Sequence, residues 1–161
     1  MKTKEYWRIE MKSRIKSIEA ENHQRLQDQL FNFLQSHLAD SKILGAYQPL
    51  KDEPQVNWQQ LTKFRLAYPQ VQVQPVMHYY IDNKQVKPQA AVVPGLAFNS
   101  QGYRLGRGGG YFDCYLAQNK EVKSVAVAFE SQIQEDFPVE KHDQKVNFLI
   151  TEKNIFRFEQ E

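Results

Sequence analysis

Residues 92–116 read VVPGLAFNSQGYRLGRGGGYFDCYL and hold six of the chain's seven glycines. Glycine adopts positive φ at little cost and lets a backbone approach a ligand closely. From 104 to 113 the glycines follow a strand-end loop and lead into a predicted helix. Successive amide N–H groups there can surround an anion near the positive end of the helix. Arg104 and Arg107 add two permanent cations. The stretch therefore predicts a phosphate site, and a triphosphate suits its charge.

Other glycine-rich motifs do not fit this stretch. No Gly-Lys-Ser/Thr follows, which excludes a Walker loop, and Tyr111 stands where the dinucleotide-binding fingerprint needs its third glycine. A flexible linker or turn is the alternative for any short glycine run. The two arginines within the run, and the aromatic residues and Asp113 just after it, favour the phosphate site.

Segments of strand and helix pattern alternate on both sides of this stretch. Apolar or β-branched runs predict a buried strand that leads into a loop at 42–50, one or two strands at 71–81, and strands at 90–93, 124–129 and 147–151. Helices are predicted at 4–18, with Ile9, Ile15 and Ile18 as the apolar side, at 56–64 and at 111–119. A further helix carries an apolar face made of Leu26, Leu30, Phe33, Leu34 and Leu38. The alternation predicts an α/β domain whose mostly parallel sheet is covered on both faces, with ligands at the carboxyl ends of strands.

Composition narrows the class of protein. Lys and Arg number 21 and Asp and Glu 19, so the net charge of +2 does not favour a general binder of nucleic acid. No apolar run approaches the ~20 residues of a membrane helix, and the charged N-terminus lacks the apolar core of a signal peptide. Cys114 is the only cysteine, which excludes an intrachain disulfide. We expect one domain over 1–161, and a cytoplasmic monomer with no nucleic-acid or membrane partner.

Residues 92–116 closely resemble the signature of the 5-formyltetrahydrofolate cyclo-ligase family, also called methenyltetrahydrofolate synthetases. Weaker matches extend the resemblance over nearly the whole chain. The resemblance implies a three-layer α/β/α fold. It also implies an ATP- and Mg²⁺-dependent reaction that closes 5-formyltetrahydrofolate to 5,10-methenyltetrahydrofolate and releases ADP and phosphate.

The resemblance implies an ATP site with catalytic cations. Lys4 and Arg8 match the family's Lys-x-x-x-Arg phosphate clamp, although this i, i+4 pair alone would suggest a solvated basic helix face. Lys4 and Arg107 are the predicted catalytic cations. The remaining predicted ATP contacts form a continuous run, made of Arg104, Leu105, Gly106, Arg107, Gly108, Gly109, Gly110, Tyr111 and Phe112.

Metal and folate sites follow from the same resemblance. Asp113 and Asp143 match its metal carboxylates, and Mg²⁺ binds one or two carboxylates together with phosphate oxygens. Gln48, Glu53 and Tyr111 match its substrate contacts, where Glu53 could accept hydrogen bonds from the pterin ring. Without the resemblance, Asp113 would be a helix N-terminal acid, Asp143 a loop acid and Glu53 an exposed acid in a turn.

Two departures from the family pattern leave alternatives open. Asn99 stands where most members have Asp, and the stretch 68–87, which lines the folate pocket in many relatives, is shorter here than in those relatives. A folate- or nucleotide-binding protein of the same fold without catalysis is one alternative. A single-strand RNA-binding module that uses the Arg/Gly segment is the other, disfavoured by the low net charge.

Overall fold

The computed structural model describes residues 1–160 and has an eight-stranded mixed sheet at its centre. Five parallel strands form the middle of the sheet: β1 (Ile43–Gly45), β2 (Arg65–Val71), β5 (Ala90–Pro94), β8 (Lys123–Val127) and β9 (Phe148–Ile150). Antiparallel strands extend both edges: β3 (Met77–Ile81) and β4 (Lys84–Val86) beside β2, and β10 (Ile155–Arg157) beside β9. The order is β10-β9-β8-β5-β1-β2-β3-β4. A separate short hairpin pairs β6 (Ala97–Phe98) with β7 (Arg104–Leu105).

Helices cover both faces of the sheet. The helices α1 (Lys4–Lys16) and α2 (Ala20–His37) pack on the face that carries Val92 and Val125. The helix α3 (Tyr111–Gln118) packs on the other face, which carries Val93 and Ala126. Successive strand residues point to opposite faces of a sheet. A central strand such as β5, which is buried along its whole length, therefore has apolar residues on both sides. The predicted three-layer α/β/α sandwich with a mostly parallel sheet is confirmed. Within residues 1–160, no helix has the length and apolar character that a membrane crossing needs.

The apolar side of α1 differs from the prediction. Ile9 is 65% exposed, whereas Trp7, Met11 and Ile15 are buried. These three recur every four residues, and Lys4 and Arg8 fall on the same stripe at spacings of three and four. The buried face of α1 therefore carries both basic residues toward the interior of the protein.

The predicted helix at 56–64 is wrong. Only one turn of 3₁₀ helix forms, at Trp58–Gln60. The Trp58 side chain is buried and its Nε1–H donates to the Tyr47 carbonyl at 2.7 Å, which fixes this segment as a packed loop. The region 71–81, predicted as one or two strands, holds the last residue of β2, which begins earlier at Arg65, and the whole of β3. The short strands β4, β6, β7 and β10 were not predicted from the sequence.

Gly45, the last residue of β1, provides a test of the packing on one face of the sheet. A Cβ added at Gly45 would lie 2.7 Å from Tyr79 Cε1 and 2.9 Å from Ala91 Cβ, both fully packed inside the sheet. We expect Gly45→Ala to lower the free energy of unfolding by about 1–3 kcal/mol, because the added methyl group must displace packed neighbours. Urea unfolding monitored by circular dichroism measures this, with the exposed Gln48→Ala as control. Equal midpoints for the two variants would contradict the packing described.

Candidate active site

A cavity of about 220 Å³ lies beyond the carboxyl ends of β2 and β5. Its walls come from α1, the loop after β1, the β2–β3 hairpin, the glycine-rich segment and the loop before β9. The cavity is lined by every predicted site residue except one: Lys4, Arg8, Glu53, Arg104, Leu105, Gly106, Arg107, Gly108, Gly109, Gly110, Tyr111, Phe112, Asp113 and Asp143. The exception is Gln48, which is exposed and is not part of the cavity lining.

The glycine-rich loop is held between two other parts of the chain. Arg8 Nε donates to the Gly106 carbonyl at 2.9 Å, and Gln74 Nε2 donates to the Gly109 carbonyl at 3.2 Å. Gly110 is the N-cap of α3 and has a φ of 74°, which an L side chain rarely adopts. The loop therefore enters α3 through a left-handed residue, with the first turn of the helix at the cavity.

Arg104 is a buried cation that forms no ion pair with a carboxylate in the described part of the chain, residues 1–160. Its side chain is 7% exposed, its Nε donates to the Pro94 carbonyl at 2.8 Å, and its guanidinium lies 5.0 Å from the centre of the Phe112 ring. Burial lowers its pKa, although the charge of Asp113 acts in the opposite direction. Within residues 1–160, no ion pair to Arg104 is found. An anion entering the cavity would supply the missing opposite charge.

Arg107 is paired with two acids of the loop after β1. Its Nη2 donates to Asp52 Oδ1 and, at 3.3 Å, to the Asp52 carbonyl, while its Nε lies 3.4 Å from Glu53 Oε2. Hydrogen bonding to Arg107 lowers the pKa of Asp52. Glu53 is only 7% exposed, so the alternative of an exposed acid in a turn is wrong. Its Oε1 also accepts from the Leu50 amide at 2.9 Å.

Lys4 is paired with two acids near the other end of the cavity. Its Nζ lies 2.9 Å from Asp143 Oδ2 and 2.8 Å from Glu140 Oε1. Burial acts to lower the pKa of Lys4, but hydrogen bonds to Glu140 and Asp143 outweigh it, and the pKa is raised. The alternative of a solvated basic helix face does not describe Lys4 in this structure, because its side chain is only 16% exposed.

Asp113 and Asp143 form a pair of carboxylates at the cavity. Asp113 lies in the first turn of α3, and its Oδ1 accepts from the Gln144 amide at 3.3 Å. Burial raises the pKa of Asp113, and the charge of Asp143 raises it further. Two partly desolvated carboxylates that repel each other fit a divalent cation. No cluster of three or more protein ligands occurs within 1–160, so oxygens of a substrate or water would have to complete the coordination.

The short stretch 68–87 does supply a wall. Pro69, Val71 and Met77 line the cavity from the β2–β3 hairpin. Asn99, in contrast, does not line the cavity. Its Oδ1 accepts from the amides of Gln101 and Tyr103, each at 3.0 Å, so the amide oxygen serves the turn between β6 and β7. The lost charge at this position therefore gives no support to a protein without catalysis.

Residues 74–152 match the sequence model of the 5-formyltetrahydrofolate cyclo-ligase family. The predicted resemblance to this family is confirmed. Over 65 residues the chain is 48% identical to a 5-formyltetrahydrofolate cyclo-ligase of Mus musculus. The matched region covers 37% of this chain and 32% of the mouse protein. The chain thus spans about a third of the length of that mouse relative.

Solved structures extend the similarity to the cyclo-ligase family over most of the chain. The NMR structure of 5,10-methenyltetrahydrofolate synthetase from Aquifex aeolicus has a TM-score of 0.78 and 27% identity, covering 98% of this chain and 94% of that one. The 5,10-methenyltetrahydrofolate synthetase of Mycoplasma pneumoniae has a TM-score of 0.83 at 21% identity, covering 92% of this chain and 98% of that one. At this lower identity the likeness shows a shared fold.

Sequence reasoning missed Asp52 and the hairpin wall. Asp52 precedes Glu53 in a loop that follows a parallel strand, where ligands bind in α/β sheets. Two successive acids at this place could have indicated an ion pair with a basic residue of the site. Val71 and Met77 fell within a segment interpreted only as strand. Nothing in their spacing indicates that the antiparallel extension folds over the glycine-rich loop.

Proposed function

We propose that the protein is a 5-formyltetrahydrofolate cyclo-ligase. It would convert 5-formyltetrahydrofolate to 5,10-methenyltetrahydrofolate with ATP and Mg²⁺, and release ADP and phosphate. The observation that carries this proposal is that one cavity is lined by the buried Arg104 guanidinium, which has no ion pair among residues 1–160, and by the glycine-rich loop, the Glu53 carboxylate and an apolar hairpin wall. A polyphosphate fits the first pair of features, and a flat heterocycle with N–H donors fits the second.

The chemistry requires activation of a poor electrophile. A formyl amide carbon resists attack, and its oxygen is a poor leaving group. Transfer of the γ-phosphoryl group of ATP to the formyl oxygen gives an imino-phosphate and ADP. The neighbouring ring-forming nitrogen then attacks the same carbon and loses its proton, and phosphate leaves with the former formyl oxygen. Such transfer depends on positioning and charge neutralisation rather than on a covalent enzyme nucleophile.

The cations of the cavity divide this task. Arg104 and the loop amides from Gly106 to Gly110 bind the phosphates, and Arg8 fixes the loop through the Gly106 carbonyl. Arg107 and Lys4 neutralise charge on the transferred group. Glu53 orients the pterin, and Tyr111 packs beside it. Asp113 and Asp143 would hold Mg²⁺, which neutralises phosphate charge when bound.

An absorbance assay tests the proposal directly. The purified protein is mixed with 5-formyltetrahydrofolate and Mg²⁺, with and without ATP, and the methenyl product is followed by its absorbance. We expect product only with ATP, and one ADP for each product molecule, because one phosphoryl group activates one formyl group. Binding of ATP or folate without turnover would instead indicate a protein of this fold that lacks catalysis. Salt-sensitive binding of single-stranded RNA without ATP turnover would indicate the RNA-binding alternative.

A further inference from the structure

We propose that Asp52 is a positioning residue that holds the Arg107 guanidinium at the cavity for phosphoryl transfer. This inference rests on the proposed function, and it adds a residue that touches neither nucleotide nor folate. Asp52 would act only through Arg107.

The chain on either side of Arg107 does not restrict the direction of its side chain. Arg107 stands between Gly106 and Gly108, so its neighbours in the chain contribute no side chains that could restrict it. Its direction is therefore set by its partners, and within residues 1–160 the polar contacts of the guanidinium go to the two acids of the loop after β1. A flexible arginine gains catalytic value from such fixing, because charge stabilisation of a transition state depends on donors that are already in place.

Asp52 and Glu53 differ in how far each is committed to Arg107. Glu53 already accepts from the Leu50 amide and is assigned to the pterin, so part of its carboxylate is committed elsewhere. Asp52 contacts Arg107 twice, through Oδ1 and through its main-chain carbonyl. Its side chain is 14% exposed, so the pair is shielded from most of the solvent that weakens surface ion pairs. Asp52 is therefore the acid whose side chain is committed to Arg107 alone, and it anchors the guanidinium.

The two acids occupy only one edge of the Arg107 guanidinium. Asp52 and Glu53 occupy the Nη2 and Nε positions, which form one edge of the guanidinium. The Nη1 edge remains for a phosphate oxygen, since a planar guanidinium has donors on more than one edge. An arginine bound in this way keeps its acidic partner while it binds the nucleotide. A different arrangement, in which Asp52 competes with phosphate for Arg107, predicts the opposite effect on ATP binding.

Steady-state kinetics of Asp52→Asn, Asp52→Glu and the control Glu121→Gln distinguish these cases. Glu121 pairs with Lys87 on the surface and does not line the cavity, so its change removes an acid from an ion pair elsewhere. For Asp52→Asn we expect kcat to fall on the order of tenfold, the size of one lost charge-assisted contact. KM for 5-formyltetrahydrofolate should stay within about twofold, because uniform folate binding is untouched. Asp52→Glu should recover part of kcat.

Three results would overturn the positioning role. The first is an Asp52→Asn enzyme with the kinetics of Glu121→Gln. The second is an Asp52→Asn enzyme with unchanged kcat and a lower KM for ATP, which would show competition. The third is equal loss of activity and of thermal stability in both Asp52 variants, which would show a structural role. Absence of ATP-dependent product from the wild-type protein would instead overturn the proposed function, and the inference with it.

Discussion

Arg107→Ala is expected to lower kcat for ATP-dependent cyclisation by about a thousandfold, the scale on which arginines act in phosphoryl transfer. The guanidinium lines the cavity beside the glycine-rich loop and carries a charge that alanine cannot replace. The measurement is the initial rate of methenyl product formation at saturating ATP and folate. Full activity in this variant would remove Arg107 from the phosphoryl-transfer machinery.

The thermal stability of Arg107→Ala shows whether the lower kcat comes from lost catalysis or from unfolding. Arg107 is 33% exposed in its side chain, and its removal takes away the arginine that pairs with Asp52 and Glu53. A modest drop in Tm is expected, and the circular dichroism spectrum should not change. Arg25→Ala is the matched control, because Arg25 pairs with Glu21 on the exposed side of α2, away from the cavity. The control should retain wild-type rate, since exposed helix pairs contribute ~0.5 kcal/mol or less.

The fold was largely predictable because its strands are buried on both sides. Runs such as 90–93 and 124–129 have no polar face, which is typical of a parallel sheet between helix layers. The failures have a common cause. Ile9 and the segment 56–64 have apolar residues, yet the side that becomes buried is decided by contacts with distant parts of the chain, such as the Trp58 bond to Tyr47. Local spacing carries no information about those contacts.

The site was predictable to the extent that it is contiguous. The run from Arg104 to Asp113 forms one wall of the cavity, as the glycines and arginines indicated. The sequence does not indicate which of the charged residues form ion pairs. Arg104 and Arg107 look alike in the sequence, but Arg104 is buried beside Phe112 without an ion pair within residues 1–160, and Arg107 is bound by Asp52 and Glu53. Pairing depends on the loop after β1, which lies some 50 residues earlier in the chain.

Asp113→Asn is expected to raise the Mg²⁺ concentration needed for half-maximal activity by at least tenfold and up to about a hundredfold, a range seen when a metal site loses a supporting group. Asparagine keeps an oxygen for the Gln144 amide but supplies no negative charge to the cation. The measurement is a Mg²⁺ titration of the rate at fixed ATP. A second titration follows the Mg²⁺-dependent binding of a non-hydrolysable ATP analogue. Asp28→Asn, on the exposed side of α2, is the control and should leave both titrations unchanged.

The same substitution should make the ligand-free protein more stable. Burial and the Asp143 charge raise the pKa of Asp113, so its ionisation is less favourable in the folded than in the unfolded state. That cost is absent where both states are protonated, near about pH 3, and is complete once the pH exceeds the raised folded pKa. In buffer with EDTA, Asp113→Asn should therefore have a higher Tm than wild type at neutral pH, and the difference should vanish in acid. A lower Tm at neutral pH would mean that the Asp113 charge stabilises the fold, and would contradict a carboxylate held in place for a cation.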